Sequence, residues 1–407
     1  MSDLFGLHRE SKITKSGVRE IFTPHKPIQS GTLFFGRQSE VQKLIEHINT
    51  PGQHALLYGD RGVGKSSLAN VTVEILLKDI LQAKLFTKRC DSSDTFETIL
   101  HSALVAVGID PDVKEASATL TEGGDAGLKV PIISAGVRTE RKKVSTYRGV
   151  QYSPSRVAEA LKTEKGLLFV DELDSIAKQE KRKLAELIKL LSDEGSPFKV
   201  LLVGIAKTAE ELTAAHPSVQ RCLKETRLRR MGRDELKLIV TGGAKKIQLT
   251  FADEVVKNII NVSLGYPHFT HLLALKCAEE AIANGQSLIT KDTLLRALET
   301  AAGDAEGTLR RQYDDAVRSY TTEMYATILK AAALIGKEEF SAGALREKIR
   351  ELTGSPISQG TLNNFLKELV NDTGTTVLVR KAKGIYSFSD PRMPSYVLIV
   401  SKHYAND

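Results

Sequence analysis

Residues 54–67 read HALLYGDRGVGKSS, from His54 to Ser67. Ala55, Leu56, Leu57 and Tyr58 form a short apolar run that reads as a buried strand. Gly59, Asp60, Arg61, Gly62, Val63, Gly64, Lys65 and Ser66 then carry the spacing G-x-x-x-x-G-K-S. A helical pattern follows through Leu68, Val71, Val73, Ile75 and Leu76. Strand, glycine loop and helix are the context that a phosphate-binding loop requires. Triphosphate oxygens need many donors at close range, and backbone N–H groups supply them where glycines let the chain approach. The helix start adds free N–H groups and a dipole that favours anions. Lys65 is placed to reach the β- and γ-phosphates, Ser66 to ligate Mg²⁺, and Ser67 to complete the loop. The expected ligands are ATP and Mg²⁺.

A second stretch completes such a site. Residues 166–174 read GLLFVDELD. Leu167, Leu168, Phe169 and Val170 read as a fully buried strand of a parallel sheet. Its end carries Asp171 and Glu172, at the sheet edge where ligands bind in open α/β folds. Asp171 is positioned to hold Mg²⁺ through water and Glu172 to polarise the attacking water. Strands also read at 83–89, 199–205 and 226–231, alternating with helical patterns. The fold class is therefore α/β, a doubly wound P-loop sheet.

Outward from this core the chain divides. Residues 1–25 are polar and basic and read as a flexible arm, either a solvated tail or a nucleic-acid contact. The ATPase unit runs over 26–231, with a glycine-rich, basic insert at 108–153 that reads as a loop or hairpin, or as a disordered surface loop. Residues 232–304 show only helical patterns and read as an all-helical lid, and 305–321 as a connector helix. The segment 322–407 reads as three helices and a hairpin, a winged helix-turn-helix. Gln359, Thr361, Asn363, Asn364 and Lys367 would face a major groove, with Arg380, Lys381 and Lys383 on the wing. Lys367 is the one basic residue of that third helix and Glu368 is acidic, so double-stranded DNA and a docked protein effector both stay open as partners.

Composition bounds the rest. The chain has 407 residues, 41% of them hydrophobic and 26% charged, an ordinary globular balance. No apolar run reaches the ~18–20 residues that span a bilayer. The opening Met1–Glu10 has no apolar core of signal-peptide type. Three isolated cysteines, Cys90, Cys222 and Cys277, argue for a reducing, cytoplasmic setting without disulfides. A net charge of +7 allows an anionic partner without identifying one.

Over about residues 25–397 the chain resembles AAA+ ATPases of the initiator-related clade, the origin-recognition, cell-division-control and archaeal-type ATPases with a C-terminal winged helix. The resemblance rests on Gly59–Ser66 as Walker A, Leu167–Glu172 as Walker B, and Phe35, Gly36 and Arg37 as the box that borders the adenine pocket. It implies an ATPase that forms a homo-oligomer, with Arg221 either an arginine finger on a neighbour's nucleotide or a structural salt bridge. Two sensors depart from the pattern. Residues 204–208 read GIAKT, leaving either Lys207 or Thr208 where a polar sensor is usual, or no sensor there at all. Residues 265–268 read GYPH, so His268 stands where a lid arginine is expected. With Pro267, it resembles the Gly-x-Pro box of signalling STAND-type NTPases, in which the lid responds to nucleotide.

Overall fold

A computed structural model describes residues 7–109, 152–213, 219–318, 322–370 and 376–402. Apart from its ends, the insert expected at 108–153 lies outside these residues, as does Ser218 ahead of Arg221.

Five parallel strands form the central sheet: β1 (His54–Gly59), β2 (Lys84–Arg89), β3 (Gly166–Asp171), β4 (Lys199–Ile205) and β5 (Leu223–Arg227). Their spatial order is β2-β3-β4-β1-β5. The inner strands β1, β3 and β4 are buried along nearly their whole length, which explains their unbroken apolar spelling. The fifth strand falls three residues earlier than 226–231, because Leu223 to Arg227 pair with His54 to Tyr58 and the chain then turns away. Helices Gln38–Asn49 and Lys65–Ile75 pack on one face, with Leu44, Ile48, Leu68 and Val73 buried. Helices Phe96–Ala106, Pro154–Leu161 and Lys178–Asp193 bury the other.

Helices Arg233–Lys246, Asp253–Ser263, Pro267–Ala283 and Lys291–Asp304 follow. This stretch is not wholly helical: β6 (Thr250–Phe251) and β7 (Leu288–Ile289) make a parallel pair inside it. The last of these helices ends at Asp304, and Ala305 and Glu306 lead into the helix Gly307–Val317.

The expected flexible arm is ordered over its described part. Helices Leu7–Lys15 and Val18–Ile21 bury Ile13, Val18 and Phe22. Arg9 binds Glu280 at 2.8 Å and Arg19 binds Glu279 at 2.6 Å, so the basic charges hold this segment to the helix Pro267–Ala283.

The chain continues with helices Met324–Ile335, Ala342–Thr353 and Gln359–Leu369. β8 (Phe340–Ser341) joins the hairpin β9 (Leu378–Ala382) and β10 (Ile385–Phe388) in the antiparallel order β8-β10-β9. A last helix, Met393–Val400, is mostly buried, and Ser395 Oγ donates to the Ser263 carbonyl at 3.1 Å. The C-terminal segment is thus docked on the helices that follow the sheet. Among the described residues no helix is long and apolar enough to cross a membrane.

Candidate functional site

A cavity of about 480 Å³ opens at the C-terminal edge of the sheet, a size that suits a nucleotide. Residues 61–67 of the glycine loop form its floor, and Asp171, Glu172, Asp174, Gly204 and Ile205 its sheet side.

Local geometry explains the loop. Gly59 has φ 149°, and a Cβ there would lie 2.3 Å from the Leu228 carbonyl oxygen. Only glycine fits while β5 hands the chain past β1. Gly64, at φ 93°, turns the loop into the helix that begins at Lys65. Lys65 is 8% exposed, and its Nζ donates to the carbonyls of Gly59 at 3.0 Å and Asp60 at 2.7 Å. Burial pulls its ammonium down to about 8, against the raising influence of Asp174 and Asp171. Ser66 lines the cavity, and Ser67 Oγ accepts from the Ile28 amide at 3.0 Å.

The paired carboxylates stand as expected at the end of β3. Glu172 has φ 58°, an uncommon conformation for a side chain of its size, and turns back beside its neighbour. Its amide donates to Asp171 Oδ1 at 2.9 Å. Its carboxylate accepts from Arg89 Nη2 at 2.6 Å, at the end of β2. Asp174, whose role the sequence did not single out, accepts from the Ile205 amide at 2.7 Å and ties β3 to the end of β4. Lys207 and Thr208 are not lining residues, and Thr208 instead bonds Glu210.

The far wall is a strap, residues 23–28, that crosses from the lid helix to the loop helix. Its Thr23 amide donates to His271 Nδ1 at 3.2 Å, its Pro24 carbonyl faces His268 Nδ1 at 2.8 Å, and its Ile28 carbonyl accepts from Asn70 at 3.3 Å. Phe34, Phe35 and Arg37 extend this wall. Arg37 is 5% exposed and donates from Nη2 to the Arg229 carbonyl at 2.6 Å, while its Nε and Nη1 are buried without a partner. Thr23 Oγ1 and His268 Nε2 are likewise buried and unpartnered. Such orphaned groups beside a cavity are what a polar ligand would satisfy. Pro267 lies across from Gly64, where a Cβ would meet Pro267 Cγ at 3.5 Å. Gly36, Gly59 and Asp60 are not lining residues; they shape the backbone behind it.

Reasoning from the sequence missed one arginine. Arg392, from the turn before the last helix, lines the cavity with its side chain 4% exposed. It is 3.0 Å from the position a Gly62 Cβ would take. It pairs with Asp390 at 2.7 Å and with Glu306, and Glu306 also binds Arg61 of the glycine loop at 2.8 Å. A chain of alternating charges thus links the loop to the C-terminal segment. The Asp-Pro-Arg spelling at 390–392 carries no signal that could have placed it there.

Arg221 lies elsewhere, just ahead of β5, where it pairs with Asp193 and is 65% exposed. The donor set fits Mg²⁺. Among the described residues no cluster of three or more His, Cys, Asp or Glu ligands exists. One hydroxyl (Ser66) and one carboxylate (Asp171) suffice for an ion that takes its other oxygens from phosphate and water.

A family model described as nSTAND1, Novel STAND NTPase 1, matches residues 27–373. No curated protein sequence matches the chain. Among solved structures, the Walker-type ATPase PABY2304 of Pyrococcus abyssi is 18% identical, with a TM-score of 0.51 over 93% of this chain and 99% of that one. The ORC2 protein of Aeropyrum pernix, solved in ADPNP–ADP complexes, is 16% identical, with a TM-score of 0.50 over 94% and 97%. Both likenesses concern the fold, an α/β P-loop architecture of AAA+ type.

Proposed function

The chain belongs to the Novel STAND NTPase 1 family, and from that premise we propose that it is an ATP-hydrolysing molecular switch whose C-terminal segment is held against, and released from, the nucleotide loop. The NTPase class follows from the family; the choice of ATP, the roles of individual residues and the switching are this reading. Lys65 and the amides of Gly62–Ser67 would hold the phosphates, and Ser66 and Asp171 the Mg²⁺. That ion supplies charge neutralisation on the phosphates when bound. Glu172 would align water, and Phe35, Gly36, Arg37, Pro267 and His268 would enclose the nucleoside.

The observation that carries the switch is the link Arg61–Glu306–Arg392 across the mouth of the loop. A polyphosphate bound there offers both arginines a stronger anion than Glu306. Binding therefore competes with the contact that docks the C-terminal segment, a population shift driven by differential affinity. Hydrogen exchange over residues 376–402 tests it. Faster exchange with a non-hydrolysable ATP analogue than with ADP is the expected result, and identical exchange would end the reading.

A second reading concerns the partner. Gln359, Asn363, Lys367, Arg380, Lys383 and Tyr386 line a groove of about 620 Å³ between the helix Gln359–Leu369 and the β9–β10 hairpin. Glu368, which would oppose an anion, keeps its charge but accepts a hydrogen bond from the Tyr325 hydroxyl and does not line the groove. Read as a winged helix, this face suits double-stranded DNA. Three cations on phosphates give a slope of about −3 in log affinity against log salt. Salt-insensitive or absent duplex binding in both nucleotide states would leave the groove to a protein effector.

A further inference from the structure

On the strap side of the cavity, His268 holds an acceptor with nothing to accept. His268 Nδ1 lies 2.8 Å from the Pro24 carbonyl oxygen. A carbonyl offers only lone pairs, so the ring proton sits on Nδ1. In the neutral ring Nε2 then carries a lone pair, and this nitrogen is buried and unpartnered in a residue that lines the cavity. Burial, helped by the positive charge of Arg392, holds the pKa of the ring below its ordinary value, so the neutral form prevails near neutral pH. His271, the other histidine of this helix, has its Nδ1 engaged by the Thr23 amide. The two rings thus pin the strap with opposite roles, one donating and one accepting.

We propose that His268 reads the nucleoside by accepting a hydrogen bond at Nε2 from a donor on it, either a ribose hydroxyl or the 6-amino group of adenine. This rests on the reading of the cavity as a nucleotide site and sharpens it. An arginine at this lid position would offer only donors, suited to phosphate. His268 has spent its single N–H on Pro24, and its free lone pair repels phosphate oxygen. The phosphate end is served by Arg61 and Arg392 instead. His268 is thus a specificity residue for the nucleoside and no phosphate sensor.

Calorimetric titration of the full chain tests this with ATP, 2′-deoxy-ATP, 3′-deoxy-ATP and purine riboside triphosphate, which lacks the 6-amino group. The protein should bind at least one analogue about 3- to 10-fold more weakly than ATP, the range of one neutral hydrogen bond. The analogue that suffers identifies the donor. His268→Asn keeps an N–H near the place of Nδ1–H but has no acceptor where Nε2 stands. It should bind ATP as weakly as that analogue and no longer distinguish the two. His268→Gln, which can place an oxygen near the Nε2 position, should keep the preference. Equal affinity of the unaltered protein for all four nucleotides overturns the proposal. So does undiminished discrimination in His268→Asn. Should that variant not fold, the unaltered protein and His268→Gln decide between them. Failure to bind any nucleotide would instead remove the cavity reading itself.

Discussion

Arg89 Nη2 lies 2.6 Å from Glu172 Oε1, so the carboxylate proposed to align water is engaged by a guanidinium on the neighbouring strand. The pair is exposed, with Arg89 at 69% and Glu172 at 43%, which limits its worth to at most about 1 kcal/mol. Freeing Glu172 should therefore speed hydrolysis modestly. Arg89→Ala is expected to raise the steady-state rate of phosphate release up to about 5-fold, whereas Glu172→Gln should bind nucleotide and lose about 100-fold or more in rate. Parental turnover in Glu172→Gln would show that another group aligns the water.

Lys65 makes nucleotide affinity pH-dependent. Its ammonium is buried and titrates at about 8. Bound phosphate favours the charged form and raises that value, so association above it takes up a proton. The association constant for ATP should fall about tenfold per pH unit above that point, with proton uptake visible as buffer-dependent heat in calorimetry. The sign for the free protein is opposite. The unfolded chain keeps its proton up to 10.5, so stability rises as pH climbs from about 8 to that value. Lys65→Ala removes the pH dependence together with about 100-fold of the affinity.

What the sequence could and could not tell follows from distance along the chain. The glycine loop and the carboxylates of β3 were legible because their chemistry sits in consecutive residues with fixed spacing. The buried strands were legible for the same reason. The helices at 7–21 were not: their few apolar residues show no period over so short a span, and the partners of Arg9 and Arg19 lie 271 and 260 residues away. Arg392 was hidden likewise, since Glu306 is 86 residues upstream. His268 could be placed at the lid from its Gly-x-Pro context, but its tautomer depends on the Pro24 carbonyl, 244 residues distant.

Breaking the charge link at the loop mouth should loosen the C-terminal segment. Arg392→Ala leaves Asp390 and Glu306, at 21% and 27% exposure, without their buried partner. The cost is about 3 kcal/mol, since both acids can regain some water. Limited proteolysis and chemical unfolding should show it, with the C-terminal segment cut first. Acid should act likewise. Burial, the largest single influence, raises the pKa of Glu306, but the hydrogen bond and charge of Arg392, the charge of Arg61 and the Thr308 hydrogen bond together outweigh it and hold the carboxyl below its ordinary 4.5. Its contribution is present above that value and is lost as pH falls through the lower, folded one. Parental stability in Arg392→Ala would show that the helix Met393–Val400 docks through its apolar face alone.

Arg221 distinguishes a solitary switch from an assembled one. Within its own chain it pairs with Asp193 at the surface and lines no part of the cavity. A finger that serves a neighbouring subunit must be exposed in this way, and the weak surface pair with Asp193 costs little to break. Arg221→Ala and Glu172→Gln should each be inactive alone if hydrolysis takes place between subunits. Mixing them creates interfaces with an intact Glu172 on one side and an intact Arg221 on the other. Activity should then appear at intermediate ratios and peak near equal amounts. An inactive mixture at every ratio, or full turnover by Arg221→Ala alone, would return Arg221 to a structural role beside Asp193.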